Sequence, residues 1–334
     1  MLVKSMTEQL LFSGNDLTLN TAITISPECT TIRRENFPAE IIFHTPGFRG
    51  YQTSEHDNLK EAEFISVSIT GTSCALKCEH CNTRELRGML DLSRHNGSLY
   101  DLCVSLAEKG TKGVLISGGS DRDGKVPVLR HVPDIVRIRR ELGLTVRVHV
   151  GLPDEETCAA LGEADIDGAM IDIIGHNDTI REVYHLDKDP EDYEEALVWL
   201  EKFHVPVVPH IVLGLHFGKI LGEANALDII SRHPPKLLVL VVLVPISKTA
   251  MAKVIPPPID EVGAFFEKTR IMFPSTPVML GCARPLGKYK SQIDHLAVDA
   301  GFNGIAYPAR DVVEYARLKG LRPEFMNACC GITW

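Results

Sequence analysis

The sequence predicts an α/β fold in which parallel strands form a barrel surrounded by helices. Short apolar runs alternate with helix-compatible stretches along the chain, and this alternation requires crossover connections between parallel strands. Runs such as residues 236–243 (KLLVLVVL) are apolar on both faces, as buried parallel strands are. Glycine and polar residues gather directly after the runs, at the rim where barrel enzymes carry their chemistry.

The predicted strands are rich in β-branched and aliphatic residues. They are Phe64–Ile69, Gly113–Ser117, Thr145–Val150, Gly168–Ile173, Val205–Leu213, Leu237–Leu243, Val278–Leu280 and Asn303–Ala306. The stretches between most of them are compatible with helices in length and composition. These are Gly97–Lys109, Val132–Leu142, Pro190–Phe203, Glu223–Arg232, Pro258–Met272 and Tyr289–Ala300.

The regular pattern covers only part of the chain. Residues 1–63 show little periodicity and contain turn signals such as Thr45-Pro46-Gly47, so we expect an extension with at most short strands. Residues 64–310 are predicted to form the barrel. Residues 311–334 are predicted to form a C-terminal helix and a tail that contains cysteine.

Composition excludes several classes of protein. Hydrophobic residues make up 44% of the 334 residues, which is enough for a large core and excludes general disorder. The formal net charge is −9 and no long basic run occurs, so no nucleic-acid partner is expected. The longest apolar stretch, Leu237–Ile246, is far shorter than the roughly 20 residues that span a bilayer. The N-terminus lacks the apolar run of a signal peptide. We expect a soluble, cytoplasmic protein with no membrane partner.

The most informative feature is a cluster of cysteines. Nine cysteines are too sparse for a disulfide scaffold, but Cys74, Cys78 and Cys81 follow the first predicted strand with the spacing C-x3-C-x2-C. Three thiolates on one loop can bind three irons of a [4Fe–4S] cluster and leave the fourth iron open. A structural zinc normally takes four ligands, often as two C-x2-C pairs. A zinc site completed by His80 and a set of buried thiols remain the alternatives.

The cysteine loop resembles the signature of the radical S-adenosylmethionine (radical SAM) superfamily, and the resemblance extends over nearly the whole chain. It implies a TIM-type (β/α) barrel, partial or complete. In this family the open iron binds SAM, and one electron cleaves SAM to methionine and a 5′-deoxyadenosyl radical. The radical then abstracts hydrogen from an unactivated C–H bond.

The resemblance also implies residues that bind SAM. The segment Ser117-Gly118-Gly119-Ser120 matches the glycine-rich motif whose backbone accepts the SAM ammonium group. The usual acidic residue of that motif is Ser120 here, so an acidic contact must come from Asp121 or be absent. His80 occupies the position, usually aromatic, that lies against adenine.

The resemblance implies that two segments further along the chain also contact SAM. Ile211 would offer its backbone to adenine, and Gly214 would permit close approach. Asp172, at the end of a predicted strand, is a candidate for the ribose hydroxyls, and a buried capping aspartate is the alternative.

The last barrel units, including the segment Gly281–Pro285, resemble biotin synthase-like proteins. Biotin synthase itself carries further cysteines on middle strands, and the predicted strands here lack them. The better match is the archaeal-type, two-component lipoyl synthase. Its supporting segments are residues 43–48, 69–71, 209–211, 214–218 and 328–331.

That resemblance implies sulfur insertion into an octanoyl chain on a lipoyl carrier protein. It also implies a paralogous radical SAM partner enzyme and a ferredoxin or flavodoxin as electron donor. The chemistry needs a dry cavity, which the apolar strand ends Ile173, Leu243 and Leu280 could line.

A sulfur source would be a second, auxiliary Fe–S cluster. Cys282 ends a predicted strand at the rim, and Cys329 and Cys330 lie on a tail that can fold back over that rim. The candidates for a fourth ligand are Cys29, Arg284 and Ser291. Cys103 and Cys158 fall within predicted helices and are expected to be buried apolar residues.

Two other functions and one docking hypothesis stay open. A cofactor maturase or a methylthiolating enzyme would share the cysteine loop, and a non-catalytic Fe–S or zinc scaffold would keep it without cleaving SAM. An acidic carrier protein could dock on Arg33, Arg34 and Arg49, or these could be ordinary solvated arginines.

Overall fold

The computed structural model describes residues 23–47, 50–53, 56, 58 and 63–332. Within these ranges, eleven strands form one sheet in the order β11-β1-β10-β9-β8-β7-β6-β5-β4-β2-β3. Every neighbouring pair is parallel. The sheet is curled and is not closed, since β11 and β3 are its edges. The predicted α/β fold with a partial barrel is therefore confirmed.

The strands and helices alternate from β4 onward, as crossover connections require. The strands are β1 (Glu40–His44), β2 (Phe64–Ser68), β3 (Leu90–Asp91), β4 (Gly113–Ser117), β5 (Thr145–His149), β6 (Gly168–Asp172), β7 (Val207–Leu213), β8 (Leu238–Val242), β9 (Val278–Leu280), β10 (Gly304–Ala306) and β11 (Arg322–Met326). The helices are α1 (Pro27–Asn36), α2 (Leu99–Ala107), α3 (Val132–Arg137), α4 (Glu155–Glu163), α5 (Asn177–Tyr184), α6 (Pro190–Lys202), α7 (Glu223–Arg232), α8 (Ile259–Met272), α9 (Lys288–Asp299) and α10 (Val312–Leu318).

All eight predicted strands occur, as β2 and β4 to β10, and the six predicted helical stretches contain α2, α3, α6, α7, α8 and α9. The structure adds helices that periodicity missed because they are short. Helix α4 begins where the Asp154 side chain accepts from the Thr157 backbone N–H, and His176 caps α5 in a similar way. Among the described residues, no helix has the length and apolarity needed to cross a membrane.

The N-terminal region holds more regular structure than the sequence predicts. Helix α1 begins after Ser26, whose hydroxyl accepts from the Glu28 N–H, with Pro27 in the first turn. The expectation of at most short strands before residue 64 is therefore wrong for α1. Strand β1 joins the sheet between β10 and β11, and β11 itself lies within the predicted C-terminal segment.

The sheet separates two buried regions. Side chains on its outer face pack against the helices, for example Phe43, Val146 and Leu240. Side chains on its inner face, such as Met170 and Val239, line a lumen. The C-terminal tail, residues 328–332, leaves β11 and packs into this lumen, where Ala328 and Ile332 join the inner cluster. The sequence suggests a tail that can fold back over the rim, whereas the structure packs the tail into the lumen.

A buried ion pair ties the last strands together. The Arg284 guanidinium donates to the Asp294 carboxylate at 2.5 and 3.1 Å, and both side chains are fully buried. Arg284 also donates to the carbonyls of Gly281 and Ala306 at 2.6 Å each. It therefore joins the ends of β9 and β10 to helix α9.

Replacing Asp294 with Asn should reduce the free energy of unfolding by about 3–5 kcal/mol, because it leaves the buried Arg284 charge without its counter-ion. Urea unfolding followed by circular dichroism measures this. The matched control is Glu194→Gln, which removes the exposed pair with Arg232 and should cost about 0–1 kcal/mol. Equal losses in the two variants would contradict the assigned role of the buried pair.

Candidate active site

The cysteine loop follows β2 and brings two of its three cysteines together. Donor atoms of Cys78, His80 and Cys81 all lie within 4.8 Å of one another, and Cys74 is outside this group. The backbone N–H groups of Cys81 and Asn82 both donate to the Cys78 carbonyl, which curls the loop around that residue. Such a compact set of soft donors fits a metal or Fe–S centre.

The backbone of this loop is held in an unusual conformation. Lys77, Asn82 and Thr83 have φ angles of 48°, 43° and 65°, in the left-handed region that non-glycine residues rarely adopt. Such conformations persist only where the surroundings hold them, and they concentrate at functional sites.

The glycine-rich motif after β4 is what holds the cysteine loop. The Thr70 hydroxyl accepts from the Gly119 N–H at 2.7 Å and donates to the Ser73 carbonyl at 3.0 Å. The Ala75 N–H donates to the Ser120 carbonyl at 2.8 Å. A Cβ on Gly119 would lie 2.5 Å from the Cys74 Cβ, and closer still to the Ser73 carbonyl. A glycine is therefore required at position 119 because the loop packs directly on its backbone.

Electrostatics favour a thiolate in the loop. The hydrogen bond with the Cys78 thiol lowers the pKa of Cys81, and the neighbouring His80 lowers it further. The same bond, followed by burial, raises the pKa of Cys78. Burial opposes protonation of His80, but the hydrogen bond and charge of Cys81 and the charge of Asp172 outweigh it and raise the His80 pKa. Thiolate is the form that binds metal.

The structure brings Asp172 to the same side of the rim. Asp172 ends β6 and pairs in register with His210 of β7. Burial and then the charge of Asp172 raise the pKa of Tyr184, whose ring centroid lies 5.3 Å from that of His80. Asp172, His80 and Tyr184 therefore form one group beside the cysteine loop. The contacts of Asp172 and His80 with SAM stay predictions.

The predicted acidic contact at Asp121 has a different partner in the structure. One oxygen of its carboxylate accepts from the N–H groups of Asp123 and Lys125, both at 2.9 Å, so it caps its own turn. Ser117, at the end of β4, is buried, while Gly118 and Ser120 are half-buried.

On β7 the two predicted SAM contacts differ in setting. Ile211 lies inside the strand, paired with Leu240, and its side chain is buried in the outer core. Gly214 follows the strand with a φ of +78°, and a Cβ there would collide with the Pro257 ring. The fold itself therefore requires a glycine at position 214, because the Pro257 ring packs against its backbone.

Sequence reasoning missed Glu223, which holds that turn. Its buried carboxylate accepts from the Gly214 N–H at 2.8 Å, and burial raises its pKa. The signal was present, because a glutamate at the first position of a predicted helix next to Gly222 is suited to bind free backbone N–H groups.

The candidate auxiliary ligands fall into two separate groups. Cys282 packs against the inner cluster that contains Cys329 and Cys330, and its charge raises the pKa of Cys330, after the effects of Cys329 and burial. Cys29 lies on α1 in the outer core, with its thiol 3.9 Å from the Glu267 carbonyl. The sheet separates Cys29 from the other three, so its assignment to the same cluster is wrong.

The other two candidates for the fourth ligand are bonded to other residues. Arg284 is held in its buried ion pair with Asp294, and the Ser291 hydroxyl donates to Asp311 at 2.6 Å. Cys103 and Cys158 are fully buried in the outer core, which confirms that prediction.

The predicted apolar lining of the cavity is wrong. Ile173, Leu243 and Leu280 all pack in the outer core. The lumen is lined by other residues of the same region of the sheet, such as Val241 and Met279. A run that is apolar on both faces does not reveal which residues point inward.

Replacing Gly119 with Ala should displace the cysteine loop and strongly reduce iron binding, because the new methyl group would meet the Ser73 carbonyl and Cys74. Gly88→Ala is the matched control, since nothing lies within 4 Å of a Cβ at that position and its φ is outside the left-handed region. Iron content after anaerobic reconstitution measures both. Full iron content in Gly119→Ala would contradict this account.

The similarities of this chain to known proteins are consistent with the geometry of the cysteine loop and the glycine motif. Residues 68–219 match the family model of the radical SAM superfamily. A lipoyl synthase from Wigglesworthia glossinidia brevipalpis is 24% identical over 153 residues, which are 44% of this chain and 48% of that protein. The alignment therefore spans about half the length of this curated relative.

Two solved structures show the same fold. Methylornithine synthase (PylB) has a TM-score of 0.57 at 16% identity, with 89% of this chain and 87% of that chain covered. The FeFe-hydrogenase maturase HydG from Carboxydothermus hydrogenoformans has a TM-score of 0.60 at 14% identity, with 89% and 71% covered. The family match includes the cysteine loop, the glycine motif, Asp172 and Gly214. Residues 68–219 therefore correspond to a radical SAM domain.

Proposed function

We propose that the chain inserts sulfur into an octanoyl group on a lipoyl carrier protein, as one component of a two-component lipoyl synthase. The observation that carries the proposal is a second group of thiols in the lumen, where Cys282 packs against the cluster that contains Cys329 and Cys330. A radical SAM enzyme needs only the first cysteine loop to cleave SAM. The similarity to a lipoyl synthase supports the choice of reaction.

The first site fits the [4Fe–4S] cluster that the family implies. Cys74, Cys78 and Cys81 would hold it, and the bound cluster supplies the electron that cleaves SAM. Close packing on Gly119 holds the cysteine loop in position, and Glu223 fixes the backbone turn at Gly214. These residues hold the site's geometry before the reaction begins, which avoids reorganisation during it.

The second site would supply the sulfur. Cys282, Cys329 and Cys330 would hold an auxiliary Fe–S cluster, whose sulfide is a sulfur source beside the substrate radical. Cys329 and Cys330 are each only 5% exposed. The apolar inner wall, including Val241 and Met279, keeps water away from a reactive carbon radical.

Partners remain part of the proposal. The reaction requires the octanoylated carrier protein, a paralogous radical SAM enzyme for the other sulfur and a ferredoxin or flavodoxin as electron donor. Arg33 is not available for docking a carrier, because it is buried and donates to the carbonyls of Pro38 and Glu40. Arg34 is exposed, and Arg49 lies outside the described residues.

The test uses two triple variants. Changing Cys74, Cys78 and Cys81 to alanine should remove about four irons and abolish 5′-deoxyadenosine, since no cluster can then reduce SAM. Changing Cys282, Cys329 and Cys330 to alanine should also remove about four irons but leave SAM cleavage intact and stop sulfur gain by an octanoylated carrier peptide. Iron analysis and mass spectrometry measure both.

The matched control is Cys103→Ala with Cys158→Ala, which changes two fully buried thiols outside the lumen and should keep both iron content and sulfur transfer. Sulfur gain in the lumen triple variant would refute the sulfur-insertion proposal. A non-catalytic Fe–S scaffold would bind iron but yield no 5′-deoxyadenosine in the unmodified protein.

A further inference from the structure

One buried polar side chain in the lumen has no role in the site described so far. His44, the last residue of β1, has no exposed surface. Neither of its ring nitrogens has a hydrogen-bond partner among the described residues. A buried polar group without a partner is costly and usually has a ligand, a water or a functional role.

The direction of His44 follows from the strand. Ile41 and Phe43 of β1 pack in the outer core, and successive side chains of a strand point to opposite faces. His44 therefore points into the lumen from the strand next to β10. It pairs in register with Ala306, which belongs to the inner cluster.

The tail brings the thiols to this histidine. The main chain of Ala328 lies against the imidazole, without the geometry of a hydrogen bond to either nitrogen, and Cys329 is the next residue. On the other side of β10, strand β9 leads through Gly281 into Cys282, which interacts with Cys330. One patch of the inner wall, across β1, β10 and β9, therefore faces both tail cysteines.

The chemistry of the ring suits a metal ligand. Burial lowers the pKa of His44 to about 4, so the imidazole is neutral at physiological pH and keeps a free lone pair. A neutral imidazole can replace a thiolate on iron in Fe–S clusters.

We propose that His44 is the fourth protein ligand of the auxiliary Fe–S cluster, beside Cys282, Cys329 and Cys330. This assignment rests on the proposed function, since it presumes a cluster in the lumen. It replaces Cys29, Arg284 and Ser291, which the structure commits to other partners. A histidine ligand also sets the cluster at a higher reduction potential than four thiolates would.

The experiment isolates the lumen cluster. Full-length Cys74→Ala, Cys78→Ala, Cys81→Ala protein, labelled with ¹⁵N-histidine, is reconstituted with iron and sulfide, reduced with dithionite and examined by pulsed EPR. It should bind about four irons and show the hyperfine coupling of one directly bound ¹⁵N. His44→Gln in this background should lose the coupling. His44→Cys should keep the iron, lose the coupling and lower the reduction potential.

His149→Gln is the matched control. His149 ends β5, alternates with the outer-core residue Val148 and so lies on the inner face. The coupling should survive its replacement. Four irons with no ¹⁵N coupling, or a coupling that persists in His44→Gln, would refute the histidine ligand and leave the proposed function intact. Absence of iron from the Cys74→Ala, Cys78→Ala, Cys81→Ala protein would refute the auxiliary cluster itself.

Discussion

The parallel direction of all described strand pairs is the constraint on which the site depends. Parallel strands end at the same edge of the sheet, so the loops that follow them meet at one rim. Strand β2 lies beside β4, and β6 beside β7. The cysteine loop therefore meets the glycine motif, and Asp172 meets the segment around Gly214. Residues far apart in sequence become one site without any special connection between them.

Contact across that rim is close enough to restrict residue choice. The cysteine loop packs on Gly119 so tightly that no side chain fits, and Thr70 joins the two segments by hydrogen bonds. Three residues of the loop have left-handed φ angles in this packed position. Because the energetic cost of such a backbone must be met by its surroundings, the glycine motif supports the cysteine loop through its own packing, in addition to the SAM contact predicted for it.

The lumen imposes a second constraint, since protein interiors do not leave large voids. The C-terminal tail packs against its wall. At Gly331 the tail is so close to the wall that a Cβ would lie 3.1 Å from the Met170 methyl group. This packing carries Cys329 and Cys330 into a dry interior with Cys282 and His44. The residues that pack in the lumen are thus the same ones for which a ligand role is proposed.

Much of this could be predicted from the sequence, and the failures have physical reasons. The eight barrel strands were visible because each is a short apolar run, and the cysteine spacing is local. Strands β1 and β11 were not visible, since EIIFH and RPEFM are short and partly polar and are held by pairing with each other. The residues of β8 that face the lumen could not be assigned, because a run that is apolar at every position shows no alternation between its two faces.

Partners that lie far apart in sequence could not be predicted either. Glu223 reaches back to Gly214 across a loop, and His44 and the tail meet only because β1 and β11 add to one side of the barrel. The sequence does not distinguish Cys29 from the lumen cysteines, but in the structure it lies on the opposite face of the sheet. Spacing identifies ligands on one loop, but it does not identify ligands that tertiary structure assembles.

The central claim is that this chain holds a second Fe–S cluster inside its barrel. Anomalous diffraction at the iron absorption edge, from anaerobically grown crystals of the reconstituted full chain, tests it most directly. The account predicts two peaks per chain, one at the Cys74–Cys81 loop and one between Cys282 and the Cys329-Cys330 tail. A single peak at the loop, with an ordered tail and no iron in the lumen, would contradict it.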